Sequence, residues 1–383
     1  MANILYRYLH ETQHPITGLL ESFPRSEDPE LQGVGFTYDL ALACLVFTHH
    51  RSLAEAGRIA EFFRSMPLPT LHGQDFNTAY HVRHGLPALE STVHLGPMAW
   101  VALALTRYGQ ATGQLIYLHR AEELLLWAGQ HVPSQDGGFA MGLVPPWTDR
   151  YSVENNWAYY AALRAVTAAM PDGPQRQALT AQRQACRMWL AAHEGMRGAG
   201  DAVKALDVFT SALLVGPGAH LEDFLPGQED TVADWGMGMI EELESLFHVP
   251  ASFGYDYADA VEATRARRAR VNWLEGTEQV VVAYQQWAPF LEACGRPVFA
   301  RKILRWAGLA HAGVMRNSLV IGNAVAIPNT DAPEPIRTFA DGWLARPWTE
   351  PATNGTTWAY FAETGLNPFH AAPERHPVNA SQW

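Results

Sequence analysis

The sequence predicts an all-α protein in which helical hairpins close into an α/α toroid, a six-hairpin barrel of alternating inner and outer helices. Two observations favour this fold. Helical periodicity dominates the 383 residues, and helices that are apolar on nearly every side alternate with amphipathic ones. In addition, no Ser-rich or Pro-rich linker divides the chain, which predicts one domain over residues 1–383.

Four segments predict inner helices, because a helix that is surrounded by other helices must be apolar around most of its circumference. They are residues 36–47, 96–108, 154–169 and 275–294. Each is followed by a segment with one apolar stripe and one polar face, as an outer helix requires. These are residues 52–64, 115–130, 175–192 and 298–312. A buried helix joined by a short turn to a half-buried one is a helical hairpin, and hairpins in series make a two-layered ring.

Strand-like alternation is scarce and is clearest at residues 319–327, where it predicts a short ribbon. The basic cluster at residues 265–270 is expected to be the solvated side of a helix. Cys44, Cys186 and Cys294 lie within apolar helical patterns, which predicts small buried core residues.

Composition excludes several classes of function. The net charge is −12, from 27 Lys and Arg against 39 Asp and Glu, so the chain offers no basic face for nucleic acid or polyanionic substrates. Ligand spacings for metals, phosphate loops and dinucleotide motifs are absent, so neither a metal nor a cofactor is expected. No apolar segment is long enough for a membrane helix and no signal segment opens the chain, which predicts a cytoplasmic protein. The sequence does not indicate the oligomeric state.

The loops that lead into the inner helices hold most of the unusual polar and aromatic residues. If the inner helices run parallel, these loops converge on one rim, where we expect the site. The candidate catalytic residues are Glu275, Asp39 and Glu154. The candidate substrate-binding residues are Trp147, Trp157, Trp235, Trp273, Asp75, His94, Tyr38, Asn155 and Asp234.

These residue types fit glycosidic bond cleavage, which needs a carboxylic acid, a carboxylate partner and aromatic faces that hold the sugar. An acid in the first turn of a helix is also favoured by capping and by the helix dipole, whatever its function. Glu275 is the stronger candidate because it precedes Gly276 and opens a helix too apolar to tolerate an unpaired charge. We therefore expect Glu275 to be the protonated acid. Asp39 is the expected ionised partner, and Glu154 replaces it if Asp39 proves to bond backbone amides.

Several motifs in consistent order carry a resemblance to a known family. They include residues 35–42, 96–100, 136–139, 152–156, 274–279 and 356–361. In this order they resemble bacterial proteins of the six-hairpin glycosidase superfamily. The resemblance implies an α/α toroid and a saccharide-related activity at the rim. Where such proteins read Thr-Glu-His-Asn, this chain has Val153, Glu154, Asn155 and Asn156, so a histidine beside the acid is missing.

The sequence therefore supports three hypotheses. The first is a glycoside hydrolase that acts on an oligosaccharide or glycoside by carboxylate general acid/base catalysis. The second is an isomerase or cyclase of a sugar or specialised metabolite on the same fold, with the same acids in proton transfer or with His81, His84 or His94 as the base. The third is a catalytically silent saccharide-binding protein. Substrate identity and the choice between retention and inversion are not determined by the sequence, because stereochemistry depends on the distance between two carboxyl groups.

Overall fold

The computed structural model describes residues 1–69, 76–89, 92–193, 203–340 and 342–370. The helices of the first half are α1 (Ala2–Thr12), α2 (Thr37–His49), α3 (Leu53–Ser65), α4 (Leu95–Thr112), α5 (Leu115–His131), α6 (Val153–Ala169) and α7 (Pro174–His193). Those of the second half are α8 (Leu206–Leu214), α9 (Gly216–Ala219), α10 (Glu229–Phe247), α11 (Ala260–Arg265), α12 (Leu274–Ala293), α13 (Pro297–Arg316) and α14 (Thr353–Thr364). A 3₁₀ turn spans Trp147–Asp149, and a π-helical turn spans His220–Phe224.

Within the part of the chain that the structure describes, six helices form a closed inner layer. In order around the ring they are α2, α4, α6, α8, α12 and α14, and α14 packs against α2 to complete the circle. Each inner helix packs against an outer partner: α3, α5, α7, α10, α13 and, for α14, the N-terminal helix α1. Helices α1 and α14 thus form the sixth pair of inner and outer helices in the ring.

The inner helices are buried on all sides, as their composition requires. In α2, every residue from Leu40 to Thr48 is buried, and in α12 the buried run extends from Leu274 to Tyr284. Helices of this kind form only where neighbours cover their whole circumference. The four predicted inner segments all lie in the inner layer and the four predicted outer segments all lie in outer helices, so both predictions are confirmed.

Hydrophobic periodicity does not predict two of the inner helices, α8 and α14. Helix α8 is short and its direction is interrupted at Gly216, which has a φ of +79°. Helix α14 opens with threonines, an asparagine and Gly355, all of which have low helix propensity. Tertiary packing against α2 and α12 outweighs these local preferences.

Short strands are confined to the segments that connect helices. They are β1 (Val34–Phe36), β2 (Ala79–His81), β3 (Ser134–Gln135), β4 (Gly138–Phe139), β5 (His248–Val249), β6 (Gly254–Tyr255), β7 (Leu319–Ile321), β8 (Ala324–Pro328), β9 (Ile336–Arg337), β10 (Leu344–Ala345) and β11 (Pro351–Ala352). Strands β7 and β8 form an antiparallel hairpin with Val320 opposite Val325, so the predicted ribbon is confirmed. Strand β11 pairs with β8 and leads directly into α14.

Two predictions about local environment need correction. The basic cluster is a solvated helix face only in part. Arg265, the last residue of α11, and Arg267 are exposed, whereas Arg268 and Arg270 lie beyond the helix and turn inward. Arg268 donates to both oxygens of Asp256, at 2.6 and 2.7 Å, and Arg270 donates to one of them at 3.2 Å. Asp256 is fully buried, and a buried carboxylate requires such partners. The other correction concerns Cys294, which is partly exposed, whereas Cys44 and Cys186 are buried.

No helix in the described ranges is long and apolar enough to cross a bilayer.

Candidate functional site

Acidic residues occupy the first turns of four inner helices. They are Asp39 in α2, Glu154 in α6, Asp207 in α8 and Glu275 in α12. Because the inner helices run parallel around the ring, these first turns lie at the same rim. The positive end of each helix dipole favours an anion there, so geometry and burial must identify which acid does more than cap a helix.

Glu275 is buried, with 4% of its surface exposed, and two side chains orient it. The Tyr38 hydroxyl donates to its Oε1 at 2.8 Å, and Nε2 of Gln279 donates to the same oxygen at 3.3 Å. The amide of Gln279 is oriented in turn by Thr210, whose hydroxyl donates to Gln279 Oε1 at 2.6 Å. Both donors bond the same oxygen, Oε1.

Burial and charge repulsion favour the protonated form of this carboxyl. Burial raises the pKa of Glu275 to about 8, the charge of Asp39 adds to the shift, and the hydrogen bond from Tyr38 opposes it. Asp207 also raises this pKa. These shifts favour the neutral acid form of Glu275 at neutral pH.

Asp39 differs from the expectation of a simply ionised partner. Burial raises its pKa to about 7, and a hydrogen bond with Ser22 only partly opposes this shift. Its Oδ2 is buried without a hydrogen-bond partner among the residues that the structure describes. The charge of Asp39 raises the pKa of Glu275, and Glu275 has the higher pKa of the two, so near neutral pH the proton is mostly on Glu275.

Aromatic side chains line this pair on two sides. Tyr38 accepts a 2.7 Å hydrogen bond from the Trp358 indole and meets Trp100 edge to face, with 5.3 Å between ring centroids. On the other side, Trp273 immediately precedes α12 and stacks on Tyr257 at 4.4 Å. Trp273 is 5% exposed. Its indole nitrogen makes no hydrogen bond of good geometry with a described residue, but it faces Glu275 and lowers the pKa of that carboxyl.

A second group of rim residues surrounds His94, which caps the start of α4. The imidazole meets Trp147 edge to face at 4.9 Å, and the guanidinium of Arg150 lies 5.2 Å from the Trp147 ring. Burial lowers the pKa of His94 to about 4, so the ring is neutral at physiological pH. Its Nε2 is buried and unpaired within the described ranges.

Glu154 and Asn155 lie where α6 approaches α4. Glu154 is half-buried in the first turn of α6. Asn155 packs against Gly96, where a Cβ would lie 2.1 Å from the amide oxygen, so the glycine is what lets the two helices come this close. Asn155 therefore has a packing role in addition to the binding role predicted for it.

The other predicted site residues lie elsewhere. Trp157 packs in the core against His220 and Phe224. Asp234 and Trp235 lie within the outer helix α10, so the prediction that they form a loop entering an inner helix is wrong. Asp234 pairs with Arg296 at 3.3 Å, between the end of α12 and the start of α13, at the opposite end of the ring from the rim.

Trp235 packs against His220 and Trp287. The apolar stretch that follows this pair in the sequence belongs to an outer helix, which explains the error. Asp75 lies outside the described residues.

Sequence reasoning missed three of the residues that surround Glu275 and Asp39: Gln279, Tyr257 and Trp358. Gln279 follows Glu275 by four residues, which places both on one helix face, so helical spacing alone could have identified it. Tyr257 and Trp358 reach the site only through tertiary packing, from the segment before α11 and from α14. In the described ranges, no group of three His, Cys, Asp or Glu side chains is arranged to hold a metal ion.

No protein-family model and no curated protein sequence matches the chain. Solved structures do match it. Cellobiose 2-epimerase from Spirochaeta thermophila has a TM-score of 0.70 at 13% identity, over 96% of this chain and 94% of that one. D-mannose isomerase has a TM-score of 0.67 at 11% identity, over 95% and 96% of the two chains. A glycosidase variant in complex with glucose has a TM-score of 0.64 at 12% identity, over 96% of both.

This chain has the six-hairpin α/α toroid fold. At these identities the likeness concerns architecture, and it confirms the fold that the motif resemblance implies. The toroid hosts hydrolysis in one neighbour and sugar epimerisation or isomerisation in others, so the fold leaves the reaction open.

Proposed function

We propose that this toroid is a carbohydrate-active enzyme, a glycoside hydrolase that uses carboxyl groups for general acid/base catalysis. The observation that carries the proposal is the coupled pair of buried carboxyls, Glu275 and Asp39, whose pKa values are raised to about 8 and about 7. Two carboxyls with pKa values near neutral, of which one is the stronger acid, meet the requirement of acid/base cleavage.

In the proposed reaction, Glu275 donates its proton to the glycosidic oxygen as the bond to the anomeric carbon breaks. Tyr38 and Gln279 hold the other oxygen of the same carboxyl and so fix its orientation. Asp39, with the lower pKa, ionises first. As a base it takes a proton from the water that attacks the anomeric carbon; as a nucleophile it attacks that carbon itself, and water then cleaves the glycosyl ester. Glu154, on the neighbouring arc of the rim, is the alternative partner.

A neutral sugar is the substrate class that this rim fits. Indole rings stack on the C–H faces of a pyranose, and the rim presents the partly exposed Trp147. The net charge of −12 disfavours polyanionic saccharides. A glycosidase with this fold has been solved with glucose, which is consistent with a sugar ligand at the rim.

The test is hydrolysis of a panel of α- and β-linked aryl glycosides and disaccharides of neutral sugars. Glu275→Gln keeps the shape but removes the transferable proton, so kcat/KM should fall by a factor of about 10² to 10⁴ with folding intact. The matched control is Glu241→Gln, an exposed glutamate on the outer helix α10. Near wild-type turnover by folded Glu275→Gln would show that this acid is structural. Asp39→Asn and Glu154→Gln then identify the second catalytic carboxyl. It is the one whose substitution lowers kcat/KM about as much as Glu275→Gln does.

One specific observation favours a second candidate, a sugar isomerase or epimerase. His94 is neutral and has a buried, unpaired ring nitrogen at the rim, as a base that takes a proton next to a carbonyl requires. Incubation of cellobiose, glucose and mannose in D₂O, followed by NMR, tests it. If deuterium appears at C2 only when His94 is present, and if the protein hydrolyses no glycoside, the isomerase proposal replaces the hydrolase proposal.

A further inference from the structure

Trp343 lies at the rim with half of its surface exposed, on the hairpin that β9 and β10 form. Its ring meets Tyr257 edge to face at 5.6 Å. Tyr257 is buried and stacks on Trp273, which precedes the Glu275 helix. Three rings therefore lead outward from the buried acid: Trp273, Tyr257 and Trp343. We refer to them as the aromatic series.

The backbone beneath Trp343 is anchored to the core. The amide and hydroxyl of buried Thr338 both donate to the Trp343 carbonyl, at 3.1 and 3.2 Å. Arg268 donates to the Thr338 carbonyl at 2.8 Å while it pairs with the buried Asp256. An indole held on such a backbone loses little conformational freedom when a ligand stacks on it.

Folding alone does not account for so much exposed apolar surface at this position. Leu344 and Trp348 on the same segment are 47% and 46% exposed. Adjacent exposed apolar side chains with a polar surround are typical of binding surfaces. Because Tyr257 and Trp273 are buried to within 5% of their surface, Trp343 is the member of the aromatic series that offers a free ring face to a ligand.

We propose that Trp343 forms an outer subsite that binds the second pyranose ring of the substrate, next to the ring held at Glu275. The inference rests on the proposed function and adds to it that the substrate has at least two sugar rings. The free indole face stacks on the C–H face of the second ring, and ring contacts through Tyr257 and Trp273 connect Trp343 to the start of the helix that carries the acid. Stacking of an indole on a pyranose does not require a charged ligand.

Calorimetric titration tests the subsite with glucose, maltose and cellobiose as probes, in the Glu275→Gln background so that ligand is not consumed. Trp343→Ala should weaken the tighter-binding disaccharide about tenfold and leave glucose unchanged within twofold. Trp343→Phe should restore most of the affinity. Trp306→Ala, which removes a partly exposed indole from the outer helix α13, is the control.

Three results would contradict the outer subsite. Equal losses for glucose and disaccharide would assign Trp343 a merely structural role, and no loss, or a disaccharide that binds no tighter than glucose, would overturn the subsite. A second readout is independent of any folding defect in the alanine variant. The indole N–H resonance of Trp343, assigned with Trp343→Phe, should shift with the disaccharide and not with glucose. If the binding split is present and no glycoside is hydrolysed, the subsite stands and the hydrolase proposal fails.

Discussion

The Tyr38 hydroxyl donates a 2.8 Å hydrogen bond to Oε1 of Glu275, across a separation of 237 residues in the sequence. The bond joins α2 to α12, which are not neighbours in the ring, because α14 lies between them. Trp358 of α14 donates to the same hydroxyl, so three inner helices meet at one oxygen. The orientation of the proposed acid thus depends on closure of the ring.

Tyr38→Phe should move the alkaline limb of the pH–activity profile to higher pH. The phenol bond favours the ionised form of Glu275 and lowers its pKa, so its loss raises that pKa further. We expect a displacement of about one pH unit in kcat/KM, as a lost hydrogen bond to a charged group implies. Tyr6→Phe, which removes a 2.7 Å bond to Ser52 at the far end of α2, should leave the limb in place. An unmoved limb in Tyr38→Phe would rule out this coupling.

The stability of the protein should depend on pH through Glu275 in a defined direction. Its pKa rises from an ordinary 4.5 to about 8 on folding. The stability that this group contributes is therefore fully present below pH 4.5 and is lost as pH rises through 8. Relative to wild type, Glu275→Gln should gain unfolding free energy of the order of a few kcal/mol between pH 5 and 9, at about 1.4 kcal/mol per pKa unit.

Urea denaturation at several pH values measures this difference. Glu241→Gln is the control, since an exposed glutamate should give a difference that is the same at every pH. A pH-independent difference for Glu275→Gln would mean that the carboxyl is not perturbed by folding.

His311→Ala should destabilise the last two hairpins of the ring. Glu278 is fully buried and bonds His311 Nδ1 at 2.8 Å, and Nε2 of the same ring bonds Glu363 of α14 at 3.2 Å. Burial lowers the pKa of His311, but Glu278 and Glu363 outweigh it and raise that pKa to about 10. Removal of the imidazole leaves a buried carboxyl without its cation, at a cost of about 3–5 kcal/mol near pH 7.

The sign of the pH dependence follows from the raised pKa. The stabilisation is fully present below pH 6.5 and is lost as pH rises through about 10. The control is His119→Ala, because His119 is two-thirds exposed and pairs with Glu122 on the surface of α5. A loss below about 1 kcal/mol for His311→Ala in urea denaturation would contradict a structural ion pair.

Leu9→Ala should show that the N-terminal helix is part of the ring. Leu9 is fully buried in α1, which covers the outer side of α14. The cavity left by the truncation should cost about 2–5 kcal/mol in unfolding free energy. Ile16→Ala, at a residue 84% exposed just after this helix, should change it by less than about 0.5 kcal/mol. Comparable effects of the two substitutions would mean that α1 is not packed in this way.

Much of the fold can be predicted from local sequence patterns. The inner helices α2, α4, α6 and α12 are apolar all round, and this property belongs to the sequence of each segment. Helices α8 and α14 are different, because their short or polar first turns become helical only where neighbouring helices bury them. The misplacement of Asp234 and Trp235 has the same origin, since inner and outer helices cannot be distinguished where the partner helix was not recognised.

The sequence by itself determined that the chain forms layered helical hairpins and that Glu275 is a buried acid, because an apolar helix must bury whatever stands in its first turn. Only the tertiary structure decided that the charge of Asp39 raises the pKa of Glu275. It also decided that Tyr38, Gln279 and Tyr257 surround this carboxyl. The physical reason is that a pKa depends on distances between charges and on the exclusion of water. Both arise when α1 and α14 close the ring and bring residues from distant parts of the chain to one rim.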